Sequence, residues 1–543
     1  MVISKQGEST ATFVMAGSDR VDLLLARREA LTASLSELPY DLLLYLERAT
    51  VHLDLDYPDL AAGDAYRALL LLDDVRDDSA EYHEQAASAF TESKLRGSDE
   101  ESIEGRARTA SLKAALILAT SLYLTGCLKS AHGFCEHGLK VDPKNAELEE
   151  TRDRILEKGR ARLKRHDISG DDLPDWGLAR REVYPWNTHE PKRYSEEALS
   201  FLNSKLQDMA PKCEVKATEL PILGNGADSA DGPAGESSCI QFGLFASEDI
   251  APGEAVLKEY SLLTANNRFK DLLCDACGEE LPQLGDTEGE PISCPECYDT
   301  VFCSQFCFDE AQEKYHPAVC EKDVDSIGKD PKHREADERL HMLLLARVLA
   351  MAAHQEIHPL DVMEVKYIWG DFVTVSAPRP EADRKESPPA GWTLPFSFEY
   401  NVKMPIHFLE KMDIDIYDTL VDYDLWVVNT LYAKFRGTDS ARKNPHDGRP
   451  EVAAVHPFWC LANHDCDPNV TWEWGGRMTL WARERRVVGD MEGGIKQGEE
   501  ILNHYCDVGL PVWDRREWAE GSLGGLCMCK RCREEAEREP RSG

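Results

Sequence analysis

The sequence predicts a multidomain α+β protein, with all-α helical repeats first and a mostly β region with metal-binding segments after them. Three observations lead to this fold class. Apolar residues recur at helical spacing between residues 38 and 165. Short β-type patterns separated by glycine and proline turns begin near residue 238. Cysteine pairs at metal-ligand spacing lie inside this second region and behind it.

Length and charge limit the functional class. The 543 residues suffice for three or four domains of about 150 residues each. Hydrophobic residues make up 42% of the chain, which excludes a wholly disordered protein. The 62 basic and 99 acidic residues give a net charge of −37. A charge this negative repels phosphate backbones, so we expect no direct nucleic-acid binding. It attracts basic protein segments, although simple solubility is the alternative reading.

The sequence gives no sign of export or of a membrane partner. Met1 leads into polar residues, and the longest mostly apolar run without charges covers only residues 114–128. A bilayer span needs about 20 such residues. We therefore expect an intracellular protein, cytoplasmic, nuclear or both. In a reducing compartment, the 17 cysteines favour metal sites over disulfides.

The helical patterns of the N-terminal region form two pairs followed by one long charged helix. They cover residues 38–53, 60–72, 112–124, 128–139 and 145–165. Small and apolar residues such as Ala119, Ala131 and Gly138 fall at the offsets of tetratricopeptide repeats, which the region 38–165 resembles. A plain helical bundle is the alternative. Stacked repeats imply a surface that binds peptide partners.

Two polar stretches flank this region. Residues 1–37 are weakly patterned, which predicts a mobile leader. Residues 166–237 are broken by glycine, proline and aspartate, which predicts a linker with one short helix near 195–208. Farther on, we expect strands over 239–246 and 255–260, helices over 339–353 and 422–435, and a charged insert over 378–391.

The most specific local pattern is a run of four ligand pairs. It comprises Cys274-x2-Cys277, Cys294-x2-Cys297, Cys303-x3-Cys307 and His316-x3-Cys320. Zinc binds four such ligands tetrahedrally, so eight ligands predict two ions. The segment 274–320 resembles a MYND zinc finger, whose pairs interleave and which binds peptides. The resemblance implies one ion held by Cys274, Cys277, Cys303 and Cys307, and another held by Cys294, Cys297, His316 and Cys320.

A second cysteine cluster lies near the end of the sequence. Cys527, Cys529 and Cys532 leave a tetrahedral ion one ligand short. Cys466 is the best candidate for the fourth ligand of this third zinc ion. The alternative is a group of three free thiols.

Three separated stretches, residues 243–256, 463–470 and 498–505, resemble the motifs of a SET domain. The cysteine triplet behind them resembles a post-SET zinc site. A MYND finger between the first and second stretches is the order found in SET-and-MYND (SMYD-type) protein lysine methyltransferases. The resemblance implies a SET domain split over 238–507 and a post-SET zinc segment and tail over 508–543.

This resemblance implies a protein-lysine N-methyltransferase. Such an enzyme transfers a methyl group from S-adenosylmethionine to a lysine of a histone or another protein. The implied cofactor contacts are Gly243, Leu244, Asn463, His464 and Tyr505. The turn at Gly243–Leu244 would approach the cofactor closely, because a side chain there would obstruct it. The hydroxyl of Tyr505, the implied catalytic residue, would point to the methyl group and the target amine.

The sequence departs from the family pattern in three places. The motif Gly-Arg-Gly-Leu is replaced by Gln241-Phe242-Gly243-Leu244, and an expected asparagine is replaced near Asp439. Residues 523–526 lack the aromatic pair that usually precedes the post-SET cysteines, and Trp513 or Trp518 would have to supply that surface. The rival hypothesis is therefore a non-catalytic scaffold that keeps the fold and its zinc ions. A zinc hydrolase is disfavoured, because four protein ligands fill each predicted site.

Overall fold

The computed structural model describes residues 17–95, 102–221, 223, 238–269, 272–283, 290–370, 372, 379, 392–489, 491–523 and 525–539. These residues fall into two compact units. The first comprises those within Met1–Arg180, Val375–Lys403 and Asp415–Leu425. The second comprises those within Arg181–Thr374, Met404–Ile414 and Trp426–Gly543.

Helices dominate the first unit, and short strands alternate with helices in the second. The α-helices are α1 (Gly17–Glu37), α2 (Leu42–Asp54), α3 (Pro58–Arg76), α4 (His83–Glu92), α5 (Ile103–Thr125), α6 (Leu128–Val141), α7 (Ala146–Leu163), α8 (Glu196–Leu206), α9 (Gln305–Lys314), α10 (His316–Val319), α11 (Ala336–Gln355), α12 (Met363–Lys366), α13 (Met404–Lys411), α14 (Leu420–Tyr423), α15 (Leu425–Phe435), α16 (Val512–Leu523) and α17 (Lys530–Arg538). The strands are β1 (Gly177–Ala179), β2 (Cys213–Pro221), β3 (Ser238–Ala246), β4 (Ala255–Glu259), β5 (Thr264–Asn266), β6 (Ile292–Ser293), β7 (Val301–Phe302), β8 (Leu394–Phe396), β9 (Asp439–Lys443), β10 (Pro450–Val455), β11 (Val470–Trp474) and β12 (Met478–Ala482).

The helices predicted between residues 38 and 165 are present as α2, α3, α5, α6 and α7. Successive helices pack against each other, α2 on α3 and α5 on α6. Gly126 ends α5 with a φ of 100°, a left-handed conformation that glycine adopts without strain, so α6 can turn back. Assignment of these pairs to the tetratricopeptide class stays a prediction.

The mobile leader predicted over 1–37 is wrong for residues 17–37, which form α1. Leu31 and Leu35 of α1 are buried, at 3% and 0% exposure. Because only its last turns carry such residues, the helix shows little sequence periodicity. Residues 1–16 lie outside the described part of the chain, as does the predicted insert 378–391 except for Arg379.

A cluster of buried charges lies in the core of the first unit. The Arg48 guanidinium donates to Asp64 at 2.9 Å and lies 3.2 Å from Asp424. Arg28 and Arg67 also face Asp424, at 3.9 and 3.8 Å. Burial alone would raise the pKa of the Asp64 carboxyl, but the charge of Arg48 outweighs it and lowers that pKa. Asp64 therefore stays ionised and neutralises part of the arginine charge.

The helix predicted over 422–435 is interrupted at Asp424. This residue is extended, between α14 and α15, and its carboxylate accepts the Leu425 N–H at 2.8 Å. The same carboxylate faces Arg28, Arg48 and Arg67. The break in the helix therefore lets Asp424 accept the first N–H of α15 and pair with buried arginines.

The second unit begins with a long antiparallel ribbon. Strand β2 pairs with β3 over nine residues, from Cys213 opposite Ala246 to Pro221 opposite Ser238. The predicted linker 166–237 therefore contains a strand of the second unit, and its predicted short helix is α8. Glu214, Lys216 and Glu219 make β2 polar, so its sequence resembles that of a linker and did not predict a strand.

The remaining strands of the second unit form small sheets. Strands β5, β10 and β9 make one three-stranded sheet, and β11, β12 and β4 make another. The apolar side chains of β3, β4 and β11 share one core with α8, in which Leu244, Leu257 and Ile501 have no exposed surface. The region 238–507 is mixed rather than mostly β, because helices α9–α15 intervene between its strands.

None of the helices in the described residues is both long enough and apolar enough to cross a membrane.

We expect Asp424→Ala to destabilise the protein by about 3–5 kcal/mol, because it leaves buried guanidiniums without their carboxylate. Urea denaturation followed by circular dichroism measures the loss. Glu47→Ala is the control, since it breaks the surface pair of Glu47 and Lys113 and should cost less than about 1 kcal/mol. Equal losses in the two variants would contradict a stabilising role of the buried cluster.

Candidate active site

At the candidate site, the segment around Asn463 is hydrogen-bonded to the segment around Asn503. The Asn503 N–H donates to Asn463 O and the Asp465 N–H donates to Asn503 O, both at 2.8 Å. The Asn469 side chain completes this contact: it donates to Glu500 O at 2.7 Å and accepts the Leu502 N–H at 2.7 Å. The two motifs that lie far apart in the sequence thus become one backbone-bonded structure, and Asn469 joins them.

Tyr505 is held at three points. Its N–H donates to His464 Nδ1 at 3.0 Å, and its hydroxyl donates to Ala462 O at 3.1 Å. Its ring lies 5.2 Å from the His464 ring. The tyrosine is half-buried, with a defined orientation of both ring and hydroxyl.

His464 connects Tyr505 to the third cysteine cluster. Because Nδ1 accepts the Tyr505 N–H, Nε2 carries the hydrogen, and it lies 3.4 Å from Cys466 Sγ. Both ring nitrogens therefore have partners inside the protein. Only the backbone of His464 remains for the cofactor contact that the sequence predicts.

Gly243 and Leu244 lie inside strand β3, so the predicted turn at this position is wrong. The Leu244 side chain is fully buried in the core. A Cβ on Gly243 would lie 2.9 Å from the Glu500 carboxylate and 2.8 Å from the Phe245 ring. A side chain at position 243 would meet these two groups, while the backbone conformation of Gly243 is ordinary.

A polar surface lies along this strand. The Asn463 side-chain amide donates to Phe242 O at 3.1 Å and to the Glu500 carboxylate at 2.7 Å. Burial raises the pKa of Glu500, and the Asn463 hydrogen bond opposes that shift. Amide and carboxylate groups of this kind fit a ligand with hydroxyl and ammonium groups. S-adenosylmethionine carries both, so the residues present are compatible with it.

A separate pocket of about 720 Å³ opens beside Tyr505. Trp459, Trp472 and Trp518 line it, as do the carboxylates of Asp439 and Asp507. The other predicted cofactor contacts do not line it: Gly243, Leu244, Asn463 and His464. Tyr505 is therefore the one predicted site residue that borders this pocket.

The pocket has an aromatic wall, of which the sequence suggested only Trp518. The rings of Trp459 and Trp472 meet edge to face at 6.0 Å, and Trp472 stacks on His504 at 6.0 Å. Trp518 lines the pocket with 59% of its surface exposed. Trp513 does not line it, and its indole N–H donates to Glu539 O at 2.8 Å. Three tryptophans thus supply aromatic surface in a chain that lacks the usual aromatic pair before Cys527.

The buried carboxylate of Glu259 holds the backbone of Trp459 in place. Its carboxylate is 1% exposed and accepts the N–H groups of Phe458 and Trp459 at 3.0 and 2.8 Å. Burial raises the pKa of Glu259 to about 8, against these two hydrogen bonds. The carboxyl caps the short helical turn Trp459–Leu461, and no sequence motif identifies it.

The structure brings together every set of predicted zinc ligands. Within each set, all ligand atoms lie within 4.8 Å of one another. A tetrahedron with metal–sulfur bonds of about 2.3 Å has edges of about 3.8 Å. In the segment 274–320, the Sγ–Sγ distances include 3.7 Å for Cys277–Cys303 and 3.8 Å for Cys294–Cys320. The two sets therefore fit zinc, with their pairs interleaved as the resemblance implies.

The third set joins Cys466 to the triplet near the chain end. Cys466 Sγ lies 4.0 Å from Cys527 Sγ and 3.4 Å from Cys532 Sγ. The four sulfurs are compatible with one zinc ion. The contact with Cys466 places the segment 512–532 beside the motif that contains His464. Trp518 lies on helix α16 of this segment.

Two groups of three metal-binding side chains escaped the sequence analysis. One shares Cys466 and His464 with the site above and adds Cys506. The other comprises His189, His358 and Asp361, but its imidazole rings stack 3.6 Å apart at an angle of 9°. Imidazole binds a metal in the plane of its ring, so two parallel rings do not share one ion. This second group does not fit a zinc site.

The comparisons with known proteins concern the region that contains this site. A family model described as SET domain matches residues 241–506. Part of the chain is similar to the human N-lysine methyltransferase SMYD2, with 34% identity over 80 residues. That match covers 15% of this chain and 17% of the human protein, so the chain spans less than a fifth of its relative. The cysteine segment 274–320 lies inside the SET match. Residues 241–506 therefore form a SET domain, and the chain resembles the SET-and-MYND proteins in the order of its motifs.

Proposed function

We propose that this protein is a protein-lysine N-methyltransferase that uses S-adenosylmethionine. The observation that carries the proposal is the position of Tyr505. Its hydroxyl is held by Ala462 O and its backbone by His464, while it borders a pocket that Asn463 and Gly243 do not reach. A methyl donor on the Gly243–Asn463 side and a lysine in the pocket would then meet at Tyr505.

Bound cofactor supplies an electrophilic methyl group on a sulfonium ion. Asn463 and Glu500 would hold its polar part, and the Tyr505 hydroxyl would align methyl group and amine. The pocket walls Trp459 and Trp472 would exclude water from the lysine side chain. Removal from water lowers the pKa of an amine, which favours the neutral nucleophile that methyl transfer requires.

The charges around the pocket favour a basic substrate segment. Asp439 and Asp507 face the pocket, against the single cation of Arg483. The net charge of −37 acts over a longer range in the same direction. A lysine-bearing segment of a histone or another protein fits this field. Peptide partners for the MYND segment and the helical region are part of the same proposal.

A non-catalytic scaffold is the second candidate, because the family arginine of β3 is replaced by Phe242 and the aromatic pair before Cys527 is absent. Calorimetric titration with S-adenosylmethionine separates the two functions. An enzyme binds it with a stoichiometry of about one per chain, as one site implies, whereas absence of binding supports the scaffold.

We expect purified protein to contain about three zinc ions per chain, because twelve ligands form three tetrahedral sets. Elemental analysis of wild type and variants measures the stoichiometry. Cys532→Ser should lower it to about two, since it removes one ligand of the third set. Cys239→Ser is the control, because Cys239 belongs to none of the sets. Two zinc ions in the wild type would contradict the third site.

We expect Tyr505→Phe to slow methyl transfer by roughly tenfold to a thousandfold, the effect of losing one preorganised polar group. The ring is kept, so folding and cofactor affinity should survive. The assay follows labelled methyl groups from S-adenosylmethionine onto histones and other basic proteins. Equal rates in wild type and variant would refute the catalytic assignment of Tyr505.

We expect Trp472→Ala to raise the KM for the protein substrate about tenfold, because it removes one aromatic contact to the lysine side chain. The cofactor Kd should stay the same, since Trp472 lies on the pocket side of Tyr505. Trp481→Ala is the matched control: it removes a ring of the same size from the neighbouring strand β12, outside the pocket. A change in cofactor Kd without a change in KM would overturn this division of the site.

A further inference from the structure

Arg193 is a buried cation with incomplete hydrogen bonding. The residue is 7% exposed, and among the described residues its Nε and Nη1 atoms have no hydrogen-bond partner. It lies in the segment between β1 and α8, outside the SET match. A guanidinium stays charged in proteins, and a buried charge without a partner is costly.

Aromatic rings hold the guanidinium in place. Arg193 Cζ lies 5.0 Å from the Phe242 ring centre and 5.4 Å from the Trp369 ring centre. These contacts stabilise the cation in part but satisfy none of its N–H groups. Burial lowers the pKa of Arg193, while Tyr194 and Glu190 oppose the shift.

The acidic group of this neighbourhood, Glu190, is engaged through Oε2, while its Oε1 has no hydrogen-bond partner among the described residues. Glu190 pairs with the buried Lys434 at 3.0 Å. Tyr194 donates its hydroxyl to Ile240 O at 2.6 Å. No carboxylate of the described residues lies within ion-pair distance of Arg193 in the structure. An anionic ligand would complete the hydrogen bonding of this guanidinium.

The position of Arg193 indicates which ligand. Phe242 occupies the place of the arginine in the motif Gly-Arg-Gly-Leu of the family, and the Arg193 guanidinium lies on its ring. The carbonyl of Phe242 accepts from Asn463, a residue of the polar surface assigned to the cofactor. The segment between β1 and α8 thus brings the Arg193 guanidinium to Phe242, the β3 position at which the family motif has an arginine.

We propose that Arg193 is a cofactor-binding residue that binds the carboxylate of the methionine part of S-adenosylmethionine. The inference rests on the proposed function. The carboxylate is the one anionic group of this cofactor, and guanidinium binds carboxylate through two parallel hydrogen bonds. The same cation repels the sulfonium, which directs the methyl end away from Arg193. Arg193 would therefore set the orientation of the cofactor as well as its affinity.

Calorimetry with two ligands tests the assignment. S-adenosylmethionine and its decarboxylated form differ only in the carboxylate. Arg193→Ala should weaken binding of S-adenosylmethionine by roughly ten- to a hundredfold, the range of a lost charge-assisted hydrogen bond. Binding of the decarboxylated form should be unchanged or tighter. In the variant, the two ligands should bind with similar affinity.

Two further variants keep the test decisive. Lys192→Ala removes the same charge from the exposed neighbouring position and should leave both affinities unchanged. Arg193→Lys retains a cation without the paired donors, and should lose part of the preference for the carboxylate if Arg193→Ala does not fold. Equal weakening of both ligands in the Arg193 variants would overturn the inference and leave the methyltransferase proposal intact. Failure of the wild type to bind either ligand would overturn the proposed function itself.

Discussion

The candidate site depends on one imidazole, that of His464. Its Nδ1 accepts the backbone N–H of Tyr505 and its Nε2 faces Cys466 Sγ, so a cysteine cluster and the proposed catalytic tyrosine share one rigid connector. The two chain segments around it are bonded through the backbones of Asn463 and Asn503. A displacement of Cys466 would therefore reach Tyr505 through only two hydrogen-bonded contacts. Groups that orient a metal ligand commonly have this second function.

The cysteine clusters organise segments that have little apolar core of their own. In the segment 274–320, the partly buried Asp275 accepts from Tyr315 at 2.6 Å and from Arg347 of α11 at 3.0 Å. These bonds tie the cysteine segment to a helix outside it, so ligands and hydrogen bonds act together. Structural zinc contributes folding free energy directly, which explains how chain segments rich in charge can keep a defined fold.

The two sides of Tyr505 differ in chemistry. One side is polar, with Asn463 and Glu500 against strand β3, and the other is a pocket with tryptophan walls. Such a division suits a reaction between a highly polar cofactor and an alkyl amine that has to leave water. Glu259, buried behind the tryptophan wall, shows that the division is supported from the core.

Several features of this protein depend only on local spacing and can be predicted from the amino-acid sequence. These are the helices between 38 and 165 and the spacing of the cysteine pairs, whereas the ligand sets and the roles of Asn463 and Tyr505 were implied by the resemblance to known domains. Ligand spacing and helical periodicity are local properties, so a single chain segment carries them. The helix of residues 17–37, the strand β2, the pocket walls Trp459 and Trp472, and the cation Arg193 were decided by tertiary structure alone. Their roles come from neighbours distant in the chain, because burial and partner choice are properties of the folded assembly and leave no periodic pattern in the sequence.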